Sequence, residues 1–181
     1  MYYLCNCKKE TITKTKTVLT FMNLNNNILL FYTMENTLIE DIQLSEHFRL
    51  SEFTRSATAI KYGIDNTPCI EDIEALQSLC INVLEPLRRR FGVIRITSGY
   101  RSPMLNNKIG GSPTSQHMRG EAADIHMSST EVAKKMFAYI MANINFDQML
   151  LEMHRGRVHC LHISYTAERV NRRMTKGNYQ V

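Results

Sequence analysis

Three features that would each assign the chain to a special class of protein are missing from its sequence. No stretch approaches the ~20 consecutive apolar residues that a membrane-spanning helix requires, so no integral membrane segment is expected. The five cysteines do not form an even set, which argues against a disulfide framework. No internal repeat is present, and no Pro-, Gly- or Ser-rich linker interrupts residues 45–166, so this region is expected to fold as one domain.

The composition is that of an ordinary globular protein. Hydrophobic residues make up 44% of the chain and charged residues 22%, which excludes disorder throughout. The net charge is +5; residues 1–33 hold four lysines and one acidic residue, a net +3, and the C-terminal RVNRRMTKGNYQV is locally basic as well. A basic end can bind nucleic acid or an anionic cell envelope, but a solvated tail is the simpler interpretation. We expect a monomer without a nucleic-acid partner.

Both ends of the chain are expected to lie outside the domain. Residues 1–33 lack the basic segment and apolar run of an export signal, and asparagines break their most apolar stretch. Met34 opens a more ordinary sequence. The predicted organisation is a poorly ordered extension over 1–33, a connecting segment over 34–45, the domain over 46–166 and a basic tail over 167–181.

The cysteines are predicted to be thiols. Cys5 and Cys7 are too close together for an ordinary zinc knuckle and have no second pair to complete one. Cys69 and Cys80 could form a disulfide in an exported protein, but Cys80 lies in an apolar stretch with helical spacing. Buried thiols fit a reducing compartment at synthesis.

Local sequence patterns predict an α+β fold. The predicted elements are helices over 51–62, 70–91 and 129–143, strands over 93–98 and 122–127, a hairpin of strands over 146–153 and 158–165, and a loop over 104–117. Helices gathered before and between mostly adjacent strands indicate a small, mainly antiparallel sheet flanked by helices. Arg88, Arg89 and Arg90 could form a nucleic-acid patch, but their position before Gly92 favours a basic helix end.

Three potential metal ligands stand out. His117 and Asp124 lie seven residues apart where a loop leads into the predicted second strand, and His162 follows near the C-terminus. Two imidazoles and a carboxylate make an open zinc site, which lowers the pKa of a bound water from ~15.7 to roughly 7. Gly120 permits a tight turn between the first two residues. Taken alone, His-x6-Asp is a weak pattern that a surface histidine and an unrelated aspartate would also produce.

The residues around these ligands make the pattern specific. Ser-Gly-Tyr-Arg-Ser at 98–102, Ser115-x-His117, Gly120, Ala123-Asp124 and His162 occur in this order. The set resembles the zinc D-Ala-D-Ala carboxypeptidase family, which includes vancomycin-resistance D,D-peptidases and phage L-alanyl-D-glutamate endolysins. The likeness covers residues 46–166 and is closest to a compact branch with SGYRSPxLN, IGGSxxSQHxxGxAADI and FDQxxxE motifs. It implies a Hedgehog/D,D-peptidase-like fold and one zinc ion (Zn2+) held by His117, Asp124 and His162.

The resemblance also implies roles for residues near the ligands. Arg101 would bind or polarise the substrate carbonyl and supply the charge that an oxyanion needs, although a structural salt bridge would use the same side chain. Ser115 would contact the peptide near its carboxylate or backbone, or serve only as a turn hydroxyl. Tyr100, beside Arg101, is also assigned to substrate binding. Asp147 and Gln148 recur in the family branch, where stabilisation of the hairpin explains them as well as catalysis does.

The identity of the general base is open. Many relatives carry an acid three residues before the last histidine, where this sequence has His159. Glu152 and His159 are therefore alternative bases, and a histidine has a reference pKa of ~6.5. His159 should point away from His162 unless a bulge intervenes, because residues three apart in a regular strand face opposite sides. Glu152 faces the metal only if the hairpin loop has an odd number of residues, because a four-residue loop would place Met149 opposite His162 instead. We favour Glu152.

The function that the resemblance implies is cleavage of peptidoglycan stem peptides by zinc-bound hydroxide. D,D-carboxypeptidase and L-alanyl-D-glutamate endopeptidase activities both fit the motifs. The lack of a recognisable signal peptide is typical of a phage-encoded or lysis-associated enzyme that is made in the cytoplasm and acts on the cell wall. This peptidase is the leading hypothesis; because His159 replaces the acid, a non-catalytic zinc- or cell-wall-binding module that has lost its general base is kept as the alternative. A Cys/His hydrolase that uses Cys160 with His159 or His162 is a third interpretation, which requires cleavage insensitive to chelators.

Overall fold

The computed structural model describes residues 41–154 and 156–176, all within a compact unit that begins at Asp41. The helices are α1 (Leu50–Thr54), α2 (Ala57–Tyr62), α3 (Ile70–Leu79), α4 (Glu85–Phe91), α5 (Pro103–Lys108) and α6 (Thr130–Asn143). A π-helical turn, Cys80–Leu84, joins α3 to α4, and a 3-10 turn spans Gln116–Arg119. The strands are β1 (Ile96–Ser98), β2 (Ala122–His126), β3 (Gln148–His154), β4 (Arg157–Ser164) and β5 (Met174–Lys176). The extension predicted over residues 1–33 lies outside the described residues.

The five strands form one sheet in the order β1-β2-β4-β3-β5. The first four pair antiparallel, and β5 pairs parallel with β3. The predicted α+β fold with a mainly antiparallel sheet is therefore confirmed. The strand β5 lies in the stretch expected to be a solvated tail, so residues 167–176 belong to the folded unit. Within the described ranges, no helix combines the length and the apolar character needed to cross a bilayer.

One face of the sheet carries the hydrophobic core. The core-facing residues of its three central strands are Ala123, Ile125, Met149, Leu151, Leu161 and Ile163. They pack in one cluster with apolar residues of α3, α4 and α6. Because side chains alternate along a strand, Asp124, Leu150 and His162 emerge on the opposite face. The sheet thus separates the core from the surface on which the predicted ligands lie.

The long helix predicted over 70–91 is present as α3, the π turn and α4. It ends as expected at Gly92, whose N–H donates to the carbonyl of Arg88 at 2.9 Å. The widened π turn lies just before Pro86, which has no N–H to donate to the preceding turn. Cys80, within this turn, is a buried thiol, as its apolar setting predicts.

Two predictions of local structure were wrong. The helix expected over 51–62 is divided into α1 and α2, because Ser56 is extended and its hydroxyl accepts a hydrogen bond from the N–H of Ala59 at 3.2 Å. This serine begins a new helix instead of continuing the first. The stretch expected to be a loop over 104–117 contains α5, which Ser102 caps and in which Pro103 takes the first position. Both helix starts are marked by ordinary capping residues.

Candidate metal centre

The predicted ligands come together from three neighbouring elements. Asp124 lies in the middle of β2, and the antiparallel ladder places it directly opposite His162 of β4. Residues opposite each other in a ladder point to the same face, with Cβ atoms roughly 5 Å apart. His117 lies in the 3-10 turn that precedes β2. That turn ends at Gly120 in a left-handed conformation (φ +65°), where a Cβ atom would collide with the backbone carbonyl of Asp72.

The three donor atoms form a compact triangle. His117 Nε2 lies 3.2 Å from His162 Nδ1, and Asp124 Oδ1 lies 2.8 Å from His162 Nδ1 and 3.3 Å from His117 Nε2. Zinc bound tetrahedrally at its usual ligand distances holds neighbouring donor atoms about 3.3 Å apart. The residues that the sequence predicts as ligands therefore have the spacing and the chemistry of a single zinc site.

Hydrogen bonds orient two of these ligands. His117 Nδ1 lies 2.6 Å from the carbonyl oxygen of Gly99, and because a carbonyl can only accept, this nitrogen is the donor. This contact fixes the ring so that Nε2 faces the side chains of Asp124 and His162. Arg101 Nη2 donates to the second carboxylate oxygen of Asp124 at 2.7 Å, and Arg101 Nε donates to Ser98 Oγ at 2.9 Å. One oxygen of Asp124 therefore faces the histidines and the other faces the guanidinium.

The carboxyl group of Asp124 is held in its charged form. Burial alone raises its pKa, but hydrogen bonds and charge from His117 and His162 outweigh burial and hold the pKa well below its usual range. Metal ligands must be deprotonated, so this environment favours a coordinating carboxylate.

The triangle forms part of the wall of a polar cavity of about 820 Å³. Arg101, Ser115 and Glu152, which were predicted as site residues, also line this cavity. Tyr100 does not; it is 6% exposed, belongs to the hydrophobic core and lines a separate, smaller cavity. The structure therefore places Tyr100 outside the lining of the cavity that the donor triangle shares, and its assignment to substrate binding stays a prediction.

A bulge in β4 decides which face Glu152 takes. Only residues 155–156 lie between the strands, so the hairpin has neither the four-residue loop nor the odd-numbered loop on which the predicted orientation of Glu152 depended. Leu150 pairs with His162 and Glu152 with Cys160, but Met153 pairs with Val158. The extra residue is His159, and the shift puts Glu152 on the same face as His162.

The two candidate bases consequently lie in different surroundings. Glu152 lines the cavity, and His159 is not among its lining residues in the described part of the chain. The ring of His159 lies near two other imidazoles, with centroid separations of 6.4 Å to His126 and 5.9 Å to His154. Of these two candidates, Glu152 shares the cavity wall with the donor triangle.

Cys160 is a poor nucleophile in this setting. Burial raises the pKa of its thiol, and the charges of Asp124 and Glu152 raise it further. Its Sγ lies 3.3 Å from Glu152 Oε2, so the protonated thiol donates to that carboxylate. The Cys/His hydrolase interpretation has no support from this geometry.

Asp147, which the sequence marks only as a recurrent residue of the hairpin, contacts two arginines that no motif predicts. Asp147 is fully buried, and it accepts hydrogen bonds from Arg169 Nη1 at 2.6 Å and from Arg172 Nη2 at 2.5 Å. Both arginines line the cavity. Burial raises the pKa of Asp147, but the hydrogen bonds from Arg172 and Arg169 outweigh it and hold the pKa well below its usual range. No spacing rule links residues 22 and 25 positions apart, so only the fold reveals the contact.

A second group of potential ligands, Glu46, His47 and Glu85, has a structural explanation. Glu85 accepts hydrogen bonds from Ser45 Oγ at 2.7 Å and from His47 Nδ1 at 2.9 Å. It thereby ties the segment before α1 to the start of α4, and Glu46 and His47 are exposed. These contacts satisfy Glu85 without a metal.

Comparison with known proteins identifies one family. The family model described as Peptidase M15 matches residues 46–161. No curated protein matches the chain at a significant level. The matched range includes His117, Asp124 and Glu152, and it ends one residue before His162.

Proposed function

This chain belongs to the Peptidase M15 family, and on that premise we propose that it is a zinc-dependent enzyme that cleaves the stem peptides of peptidoglycan. The observation that carries the proposal is the donor triangle of His117, Asp124 and His162 in a cavity that Arg101 and Glu152 also line. A zinc ion supplies a Lewis acid that polarises a carbonyl and makes water acidic. The neighbouring side chains supply the other functions that amide hydrolysis needs.

Arg101 is proposed to stabilise the developing oxyanion. A guanidinium has five N–H donors, and Asp124 and Ser98 accept from two of its nitrogens. The side chain therefore keeps donors and a fixed positive charge for a carbonyl oxygen that becomes negative in the transition state. Its contact with Asp124 also fixes the carboxylate, so Arg101 serves both substrate and ligand geometry.

Glu152 is proposed to transfer the proton. It accepts a proton from the attacking water as the new C–O bond forms, and it returns the proton to the amine nitrogen as the C–N bond breaks. Each product then carries one part of the added water, and no oxidant or further reactant is needed. The support for this role is the position of Glu152 on the cavity wall and on the same face as His162.

The substrate proposed is a peptide of the bacterial cell wall, cleaved either at a C-terminal D-Ala or at an L-alanyl-D-glutamate bond. Both reactions are amide hydrolyses that use the same side-chain functions. The family and the motif order support a peptide substrate, and the polar lining of the cavity suits a peptide with charged groups. The site of action proposed is accordingly the cell wall.

Digestion of purified muropeptides tests this proposal. The zinc-loaded protein is incubated with muropeptides of known structure, with and without a chelator, and the products are identified by mass spectrometry. We expect one amide bond to be hydrolysed, the activity to disappear with chelator and to return with added zinc. The position of the cut distinguishes a carboxypeptidase from an endopeptidase. A zinc-loaded protein that binds muropeptides but releases no product would contradict the proposal and favour the non-catalytic binding module.

A further inference from the structure

We infer that Arg169 and Arg172 form a carboxylate-binding arm of the cavity that selects peptide substrates with a free carboxylate. This inference rests on the proposed function for its substrate class, and the contacts that form the arm join residues 169–174 to Asp147 and its neighbours. Both arginines follow the family-matched range, so they are features of this chain beyond that range.

The arm is fixed in place by a carboxylate that no ligand can reach. Asp147 is 0% exposed and accepts from two nitrogens of Arg169, at 2.6 and 3.2 Å. Arg172 donates to the same carboxylate through Nη2 at 2.5 Å and through its backbone N–H at 3.1 Å. The anchoring contacts are thus charge-assisted and multiple, which holds both guanidinium groups in defined positions.

The backbone of this segment is also clamped beside Asp147. The N–H of Arg173 donates to the carbonyl of Phe146 at 3.1 Å, and the N–H of Met174 donates to the carbonyl of Asp147 at 2.8 Å. These bonds continue into the parallel pairing of β5 with β3. A binding group held this way loses little conformational freedom when a ligand arrives.

The charge balance leaves the arm with an excess positive charge. One carboxylate is compensated by one guanidinium, but Asp147 contacts two, so the three groups together carry one net positive charge. The arginine side chains are 42% and 49% exposed and line the cavity, whereas Asp147 is covered. The described lining residues include four arginines and two carboxylates; the two further carboxylates that bond these arginines, Glu121 and Asp147, are buried and do not line the cavity. The side chains that an incoming ligand meets therefore present more positive than negative groups.

A carboxylate is the anion that fits this arm in a peptide substrate. Each guanidinium offers a planar set of donors that matches two carboxylate oxygens, and Asp147 engages only part of that set. Peptidoglycan stem peptides carry free carboxylates at their C-terminus and on their acidic residues. The arm would therefore hold such a carboxylate while the scissile amide lies near Arg101 and Glu152.

The test compares peptides that differ only in one carboxylate. Stem peptides with each carboxylate converted in turn to its amide are assayed with zinc-loaded wild type, Arg169→Gln, Arg172→Gln and the control Arg157→Gln. Arg157 is exposed and lies outside the described cavity lining, so its change removes the same charge elsewhere. Binding of each peptide is also measured by calorimetry, and unfolding midpoints report whether each variant is folded.

We expect one amidation to raise KM about 10- to 100-fold for wild type and Arg157→Gln, with kcat changed little. In Arg169→Gln and Arg172→Gln the free peptide should bind as weakly as its amide, so the discrimination disappears. A purely structural role would lower the unfolding midpoint but leave the discrimination intact. Arg169→Lys keeps the positive charge but loses the planar pair of N–H donors. It should discriminate between free and amidated peptide better than Arg169→Gln and less well than wild type.

The outcomes separate this inference from the proposed function. Wild-type protein that cleaves free and amidated peptides equally well overturns the arm and leaves the peptidase in place. Wild-type protein that cleaves nothing but binds the free peptide more tightly than the amide, through Arg169 and Arg172, supports the arm and contradicts the peptidase. Absence of binding to every peptide overturns the arm.

Discussion

Arg101 and Asp124 share a hydrogen bond of 2.7 Å that joins a predicted substrate-binding residue to a predicted metal ligand. The carboxylate uses its other oxygen towards His162, at 2.8 Å. The salt-bridge and catalytic interpretations of Arg101 are therefore compatible, because the same guanidinium orients the ligand and lines the cavity. Its contribution to metal binding and its contribution to catalysis can be measured separately.

Replacement of Arg101 by lysine should separate those contributions. The lysine keeps the charge but loses the planar fork, so kcat at saturating zinc is expected to fall about 10²- to 10³-fold, as for loss of an oxyanion donor. Zinc affinity should fall by at most about 10- to 100-fold, since only a supporting contact of Asp124 is lost. Steady-state kinetics over a range of zinc concentrations checks both values. Full recovery of kcat at high zinc would restrict Arg101 to positioning Asp124.

His162→Ala should remove the metal site. One bound zinc per chain is expected for wild type and none for the variant, measured by elemental analysis after dialysis. At a zinc concentration of 100 times Kd, the metal should stabilise wild type by about 2.7 kcal/mol and the variant not at all. His47→Ala is the matched control, because it alters the other group of potential ligands, Glu46, His47 and Glu85. Loss of zinc from that control would place the metal elsewhere.

Glu152→Gln and His159→Ala should distinguish the two candidate bases. Glu152 lines the cavity, so its replacement is expected to lower kcat about 10²- to 10⁴-fold while zinc remains bound. His159 is the bulged residue beside His126 and His154, so its replacement should change kcat by less than about 3-fold if the register holds. A larger loss in His159→Ala than in Glu152→Gln would reverse the assignment.

Asp147→Asn should destabilise the fold in a pH-dependent way. The folded-state pKa of Asp147 is depressed, so its stabilising contribution is present above the unfolded pKa of ~3.9 and is lost as the pH falls towards the folded value. We expect a loss of about 2 kcal/mol at pH 7, which shrinks below about pH 4. Urea unfolding at several pH values measures it. Asp65→Asn, at an exposed aspartate bonded to Thr67, should cost less than about 1 kcal/mol at pH 7.

Gly120→Ala should be far more costly than Gly63→Ala. Both glycines are left-handed, with φ of +65° and +60°, so an alanine costs about 1–2 kcal/mol of backbone strain at either position. Only at Gly120 would the new Cβ also collide with the carbonyl of Asp72. Denaturant unfolding should show the difference, and a lower zinc affinity should accompany it because His117 lies in the same turn. Equal losses of unfolding free energy in the two variants would mean that the turn at Gly120 shifts enough to avoid the collision with Asp72.

The parts of the molecule that local sequence determines were predicted well. The helix over 70–91 was predicted from apolar residues that recur at helical spacing and from Gly92 at its end. The structure is helical over this range, although a π turn widens the middle of it. His117, Asp124 and His162 were identified by an ordered set of motifs, and they lie together. By contrast, the break at Ser56 depends on one hydroxyl capping a new helix in a stretch that also suits a continuous one.

Two features of the candidate site depend on contacts that no local pattern reports. The face of Glu152 is set by one extra residue, His159, on the partner strand, and a hairpin with another loop and no bulge was equally consistent with the sequence. The contact of Arg169 and Arg172 with Asp147 exists only because the chain returns to pair with β3. The different positions of Tyr100, in the core, and Arg101, on the cavity wall, are likewise set by the fold, since neighbouring residues after a strand can face either side.

The parallel pairing of Met174–Lys176 with β3 has a consequence for self-association. Those residues pair with the outer edge of β3 from Gln148 to Leu150, a stretch that includes the apolar Met149 and Leu150. A chain that stopped after Thr166 would leave the backbone N–H and C=O groups of that edge unpaired, as a template for a strand of another molecule. It would also leave Asp147 without its arginines. Strand β5 therefore protects an edge of the sheet from pairing with another molecule, and it also holds the arginines that line the cavity.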